Sequence, residues 1–272
     1  MGLGLIGGSL GMALRRRRLA REVAGLSRHA ATIRRAAARG AIDRGTTDAA
    51  DAVRSAEVVV LATPVDTIPA YARRLARFMR PGSVLTDVGS TKAAIVRQAE
   101  RSLPPSVAFV GAHPLAGSEQ GGIAAAREDL FDTSVCILTP TTRTDRRALA
   151  RVTRLWAPLV GRIVVMSPDE HDRLLAATSH LPHLVSTALV LSAGPAARRH
   201  AAPSFREMTR VAQSDPGLWD DIIFTNRANL LKAMGRFSAQ WRALRRAVAG
   251  ARRAELCRLL IRARSLRHAI DR

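Results

Sequence analysis

The sequence predicts an α/β fold, a doubly wound parallel sheet that gives way near residue 167 to an all-helical half, and three observations carry that expectation. From residue 22 to about 165, short β-rich runs alternate with helical ones, the pattern of a parallel sheet covered by helices. The chain opens MGLGLIGGSLG, in which Gly2, Gly4 and Gly7 spell G-x-G-x-x-G, the loop that lays a helix N-terminus against a pyrophosphate. After Pro168 the β-rich runs stop. There DEHDRLLAATSHLPHLVSTALVLSA sets Leu174, Ala177, Leu181, Leu184, Val185, Ala188 and Leu189 along one helix face.

Taken in order, the glycine loop leads into a helical run ending at Arg15 to Arg18. In a Rossmann-type sheet this loop follows a buried central strand, yet only Met1 precedes it, so the first strand is missing from the sequence. About 5 to 6 residues would build such a strand. Its loss would leave both neighbouring strands without ladder partners. The expectation is therefore that Met1 is an internal residue and that the native protein begins upstream with a short Val/Ile-rich run. Further strands are expected at 23–26, 58–62, 84–88, 107–111, 135–138 and 163–165, with helices such as 30–39 and 67–78 between them. Beyond them the expected helices are a long amphipathic one at 168–192 and others at 216–248 and 251–268. Two domains follow, 1–166 and 167–272, with no internal repeat or low-complexity tract.

Composition narrows the function class. The net charge of +21 and pI near 11.8 suit a nucleic-acid binder. Against that, lysine occurs only at Lys92 and Lys232, the arginines run from Arg15 to Arg272 amid abundant alanine, and aromatics for base stacking reach only 4%. Neither nucleic acid nor membrane is an expected partner. The positive field instead favours small anionic ligands. No run reaches the roughly 18 apolar residues of a membrane span. The apolar N-terminus precedes its arginines, the reverse of a secretory signal, so a cytoplasmic location is expected. Cys136 and Cys257 belong to no spaced cluster, and no metal site is expected.

The motifs point to a dinucleotide. Gly2 permits the tight turn, Gly4 lets the backbone approach phosphate, Gly7 permits close packing of helix on strand, and Leu5 and Ile6 complete the cofactor loop. At the end of the second strand, where an NAD enzyme offers a carboxylate to the ribose, stand Ser27 and Arg28. A hydroxyl and a guanidinium suit a 2′-phosphate, so NADP is favoured over NAD. Three loops then follow predicted strands, LATPVD with Thr63 and Pro64, DVGSTK with Ser90, and GAHPLAGSEQGG with His113. All should open on one crevice at the carboxyl ends of the strands. His113 is the group there suited to proton transfer near neutrality. In SHLPH, Ser179 and His183 share a helix face, and Pro182 should bend the helix by freeing the Thr178 carbonyl. A metal reading of His180 and His183 lacks the H-E-x-x-H pattern.

Together GLGLIGGSLG, ATPVD, DVGSTK, GAHPLAGSEQGG, SHLPH and FREMTRVAQSDPGLW resemble the prephenate/arogenate dehydrogenase family, in the same order over residues 2 to about 268. The resemblance implies NAD(P)-dependent oxidative decarboxylation of prephenate, arogenate or both in tyrosine biosynthesis. Hydride leaves C4 of a cyclohexadienol, the 4-hydroxyl loses its proton, and CO2 departs as the ring aromatises. It implies that His113 accepts that proton and that Ser90 bonds near it and the nicotinamide. It implies too that Arg210 pairs with a substrate carboxylate, that Ser179 and His183 reach the substrate, and that the helical domain pairs into a homodimer. His183 inclines the reading toward prephenate or dual use, and Ser27 fits the NADP-using members. The chain end near 272 leaves no expectation of a fused mutase or regulatory domain. The alternative, an NADP-dependent dehydrogenase of the 3-hydroxyacid type, needs a lysine on the 168–192 helix, which has none. A nucleic-acid binder would instead lose its ligand steeply with salt.

Overall fold

Runs of Val, Leu and Ile form the strands, and their alternation decides which face each residue covers. In the computed structural model, which describes residues 1–118 and 120–270, β1 (Ala24–Leu26) pairs in parallel with β2 (Arg44–Thr46). The sequence reading missed β2, whose RGT is short, carries one β-branched residue and is buried at none of its positions. A second sheet has the order β3 (Val58–Leu61), β4 (Val84–Asp87), β5 (Ala108–Pro114), β6 (Val135–Thr139), β7 (Arg162–Val165). The expectation of a wholly parallel sheet is corrected at one place, because β6 runs antiparallel to β5. The front half of β5 pairs with β4, Thr86 opposite Val110, and its rear half pairs with β6, His113 opposite Ile137. His113 therefore sits within a strand rather than in the loop after one. The β6 ladder continues β5 beyond the point where β4 ends.

Between β1 and β3 the sheet is interrupted, and the first two residues lie there. The Met1 ammonium donates to the Val60 carbonyl at 2.6 Å and the Ala62 N–H to the Met1 carbonyl at 2.8 Å, while the Gly2 N–H donates to Leu26 O at 3.2 Å. Burial lowers the pKa of that ammonium to about 6.

Helices cover both faces of the five-stranded sheet. On one, α4 (Ile68–Ala76) and α5 (Ala93–Ser102) bury Ile68, Ala72, Leu75, Ile95 and Val96 against Leu61, Leu85 and Phe109. On the other, α1 (Leu5–Arg16) and α6 (Arg146–Trp156) bury Leu10, Leu14, Val152 and Trp156 with Val110, Ala112 and Leu138. Burying each of the Val, Leu, Ile and Phe side chains among these contributes about 2 kcal/mol. The short α2 (Ala30–Ala38) and α3 (Ala49–Val53) flank the smaller sheet.

The expected long helix at 168–192 is three segments. The first, α7 (Pro168–Leu175), starts sharply, with Ser167 accepting the Glu170 N–H, Pro168 in its first turn and Asp169 and Glu170 at its positive end. A π-helical turn, Ala176–His180, follows, and the Leu181 N–H reaches back five residues to the Ala176 carbonyl. Then comes α8 (Leu181–Ser192), with Pro182 in its first turn. Pro182 has no N–H to offer Thr178, and the ladder accommodates it by widening one turn. The run Pro168–Ser192 is long and apolar enough to cross a membrane, contrary to the sequence expectation, but its His171, Asp172 and His180 make hydrogen bonds inside the protein.

After α9 (Pro195–Arg199) and α10 (Pro203–Thr209), a 3₁₀ turn Arg210–Gln213 leads to α11 (Pro216–Thr225). The expected continuous helix at 216–248 breaks at Asn226, which leaves helical geometry (φ −114°, ψ 22°), and resumes as α12 (Arg227–Ala249). The chain forms two compact units, Met1–Arg227 and Ala228–Arg272. The second holds most of α12 and all of α13 (Arg253–His268). Along α12, Leu231, Met234, Phe237 and Trp241 are exposed at helical spacing, and Phe237 stacks on Trp241.

Candidate active site

The glycine loop has the geometry its three glycines suggest, each for a separate reason. Gly2 has φ +89°, a conformation side chains disfavour, and a Cβ there would stand 2.2 Å from the Ala62 carbonyl oxygen. Gly7 packs against the loop itself, where a Cβ would lie 1.9 Å from Gly2 O. Around Gly4 a Cβ would meet nothing within 4 Å. Gly4 is also the N-cap of α1 and has no side chain with which to cap it, so the leading amides of the helix, from Leu5 to Gly7, receive no cap from it. A helix N-terminus behind such a gap fits a pyrophosphate. Thr63 borders the same loop, its methyl 3.2 Å from a Cβ built on Gly2, and Pro64 begins the turn in which Thr67 donates to Thr63 Oγ1 at 3.0 Å.

Ser27 and Arg28 line a cavity of about 50 Å³ beside Met1, together with Thr47, Tyr71 and Arg74. Among the described residues no carboxylate lines it, and two guanidiniums do. Arg74 and Tyr71, on α4, were not anticipated from sequence, because nothing in an arginine-rich helix marks one arginine as facing a ligand.

At the far end of β5, His113 is buried, and its Nδ1 lies 2.8 Å from His171 Nε2. His171 Nδ1 is in turn 2.8 Å from Asp172 Oδ1. Asp172 is held by the first amides of α5, accepting from Lys92 N at 2.7 Å and Ala93 N at 3.0 Å. The Lys92 ammonium, fully buried, pairs with Asp87 at the end of β4. Asp87 also accepts the Gly89 N–H at 2.8 Å. Burial above all, then the charges of His171, Lys92 and His180, holds the His113 pKa well below the usual 6.5. His171 is likewise lowered by burial, against the attraction of Asp172. Both rings are thus neutral imidazoles at neutral pH. On β6, opposite Pro114, burial raises the Cys136 thiol to about 12, leaving it unreactive.

The network continues into the helical segment. Asn226 Nδ2 donates to the Asp172 carbonyl at 2.6 Å and lies 3.2 Å from His180 Nδ1. His180 meets Trp219 edge to face, and His183 stacks on that indole with ring centroids 3.6 Å apart. The structure therefore joins His113 and His183 through a chain of side chains. Ser90 lies between β4 and α5, half-buried, two residues before Lys92. Ser179 is half-buried in the π turn, and Arg210 is exposed at the start of the 3₁₀ turn that packs on α8. The sequence reading overlooked Lys92, His171, Asp172, Trp219 and Asn226. A signal existed for Lys92, one of two lysines in a chain that otherwise uses arginine.

This architecture has relatives. A family profile described as prephenate dehydrogenase, nucleotide-binding domain, matches residues 10–165, and one described as prephenate dehydrogenase, dimerization domain, matches 167–262. The chain belongs to the prephenate dehydrogenase family. It is 37% identical to the prephenate dehydrogenase of Bacillus subtilis over 237 residues, 85% of this chain and 64% of that protein. It thus spans just under two thirds of that relative's length. The crystal structure of prephenate dehydrogenase from A. aeolicus, in complex with hydroxyphenyl propionate and NAD+, superposes with a TM-score of 0.91 at 33% identity, covering 99% of this chain and 96% of that one. Synechocystis arogenate dehydrogenase gives 0.84 at 32% identity, covering 99% and 98%.

Proposed function

We propose that the protein catalyses the NAD(P)-dependent oxidative decarboxylation of prephenate, of arogenate or of both, in tyrosine biosynthesis. The observation that carries this reading is the buried, neutral His113 joined through His171, Asp172, Asn226, His180 and Trp219 to His183. That framework would give a proton acceptor and a second histidine for the substrate, in a chain that also carries a glycine loop of dinucleotide-binding geometry. Family membership supports the same reading.

The residues divide the work. Gly2, Gly4, Leu5, Ile6 and Gly7, with Thr63 and Pro64, would hold the dinucleotide, and Ser27 and Arg28 its ribose. The bound nicotinamide supplies a hydride acceptor for C4 of the cyclohexadienol. His113 takes the proton of the 4-hydroxyl, and Ser90 hydrogen-bonds near it. Arg210 pairs with a substrate carboxylate, while Ser179 and His183 orient the ring from the helical side. NADP is the proposed cofactor, with NAD the weaker one, because Arg28 and Arg74 border a cavity that no carboxylate among the described residues lines. The dinucleotide-binding domain is taken as 1–166 and the substrate and dimerisation domain as 167–272. A homodimer is proposed on the exposed Leu231, Met234, Phe237 and Trp241 of α12. The protein is placed in the cytoplasm.

The test is spectrophotometric. Purified protein is mixed with prephenate or arogenate, each with NAD or NADP, and reduced cofactor is followed by absorbance. Turnover, fastest with NADP, is expected; a chain shown to be folded and to bind the dinucleotide, yet silent in all four mixtures, contradicts the reading. Light scattering of the same sample reports the dimer.

A further inference from the structure

We infer that His171 and Asp172 are positioning residues that fix the tautomer of His113, leaving its Nε2 bare toward the substrate. This rests on the proton-accepting role proposed for His113, and the argument is one of donors and acceptors. The Lys92 and Ala93 amides can only donate, so both oxygens of Asp172 act as acceptors toward them. Among the described residues, Asp172 Oδ1 has one further hydrogen-bonding neighbour, His171 Nδ1, which donates to it. A neutral imidazole carries a single N–H. His171 Nε2 is therefore an acceptor, and the group 2.8 Å from it, His113 Nδ1, must carry the hydrogen. That leaves His113 Nε2 as the lone-pair nitrogen.

The same chain stabilises the product of proton uptake. Once Nε2 is protonated, the Nδ1–H···Nε2 bond to His171 becomes charge-assisted, and Asp172 is the carboxylate at the end of that chain. The other ionisable groups acting on this pair, among the described residues, are the Lys92 ammonium with its Asp87 partner and His180, while the Cys136 thiol on β6 meets only the backbone of His113. Burial first, and then any charge on His171, Lys92 or His180, disfavours an imidazolium at His113, so the compensation lies in the hydrogen bond to a neutral His171 and in the Asp172 carboxylate that holds that ring. Asn226 and the α5 amides keep Asp172 in place.

The experiment uses the full chain labelled with ¹⁵N-histidine, above the histidine titration range and without substrate. Long-range ¹H–¹⁵N spectra distinguish Nδ1–H from Nε2–H imidazoles, and the His113 signals are those lost in His113→Asn. The Nδ1–H tautomer is expected for His113 in the unaltered chain. Asp172→Asn keeps an acceptor for the Ala93 amide but puts an NH2 group, in place of Oδ1, against His171 Nδ1 and the Lys92 N–H, and should move His113 toward Nε2–H. It should also lower kcat by about two to four orders of magnitude with a much smaller change in KM. His171→Gln should cost less, since it retains an acceptor for Nδ1–H, and it should shift the acid limb of the kcat/KM profile. An Nε2–H tautomer in the unaltered chain overturns the inference, whether or not the variants fold. So does an Asp172→Asn chain with unchanged kcat. Because the tautomer is read without turnover, a failure of the proposed reaction is distinguishable from a failure of this inference.

Discussion

His183 lies flat on the indole of Trp219, with ring centroids 3.6 Å apart and planes within 8° of parallel. The imidazole is buried, its pKa is lowered by desolvation, and its Nδ1 has no hydrogen-bond partner among the described residues. The stack therefore sets the ring's orientation. Trp219→Leu should release it, raising KM for substrate up to about tenfold with kcat less affected, as befits a lost aromatic pair. Trp219→Phe should retain most of the affinity. Steady-state kinetics check both, and equal losses in the two variants would show that the stack does not hold His183.

Gly4 and Gly7 separate binding from folding. A methyl at Gly4 meets no protein atom within 4 Å, whereas one at Gly7 collides with Gly2 O. Gly4→Ala should leave the melting temperature nearly unchanged while raising the cofactor KM, because the methyl occupies the space offered to phosphate. Gly7→Ala should destabilise the chain by about 1 to 3 kcal/mol. Thermal melts with and without dinucleotide decide between these outcomes.

Arg28 and Arg74 should act on the phosphorylated cofactor alone. Removing either guanidinium takes away a charge-assisted contact of about 1.5 to 3 kcal/mol, discounted for solvent because Arg28 is exposed. Arg28→Ala and Arg74→Ala should each raise KM for NADP about three- to tenfold and leave KM for NAD nearly unaltered. Parallel titrations with the two cofactors measure the difference. Equal effects on both would remove Arg28 from the ribose.

Acid should destabilise the fold through its buried histidines. Burial above all lowers His180 to about 4, and it also lowers His113 and His171. A base whose folded pKa lies below its unfolded value leaves stability intact above the unfolded pKa, about 6.5. That stability is then lost as pH falls toward the folded value. For His180 the window runs from about 6.5 down to about 4, at a cost near 3 kcal/mol. Urea unfolding across that range should show falling stability, with a flatter slope in His180→Gln. Stability that is constant or rises on acidification contradicts this.

How far the sequence alone reaches differs between fold and site. The strands at 58–62, 84–88 and 135–138 were legible because short runs rich in Val, Leu and Ile, bounded by polar turns, have few other readings. β2 was not legible, because Arg44–Thr46 gains its strand geometry from pairing with β1 rather than from its own residues. The reversal at β6 leaves no local mark, and it alone extends β5 to include His113. Glycine spacing announced the loop around Gly4, but not Arg74, which faces the cavity only because α4 packs with that side outward. His171 meets His113 across 58 residues, and Asp172 meets the Lys92 amide across 80, contacts no periodicity encodes. Pro182 did announce a local irregularity, and the chain answered it with a π turn.

The central claim is that His113 accepts the proton in an oxidative decarboxylation. Its most direct test measures CO2 release and reduced nicotinamide together, from prephenate and from arogenate, for the unaltered chain and for His113→Ala. The account predicts equal amounts of the two products, and a loss of about two to four orders of magnitude in kcat for His113→Ala. Reduced cofactor without CO2, or a His113→Ala chain that retains its kcat, would contradict it.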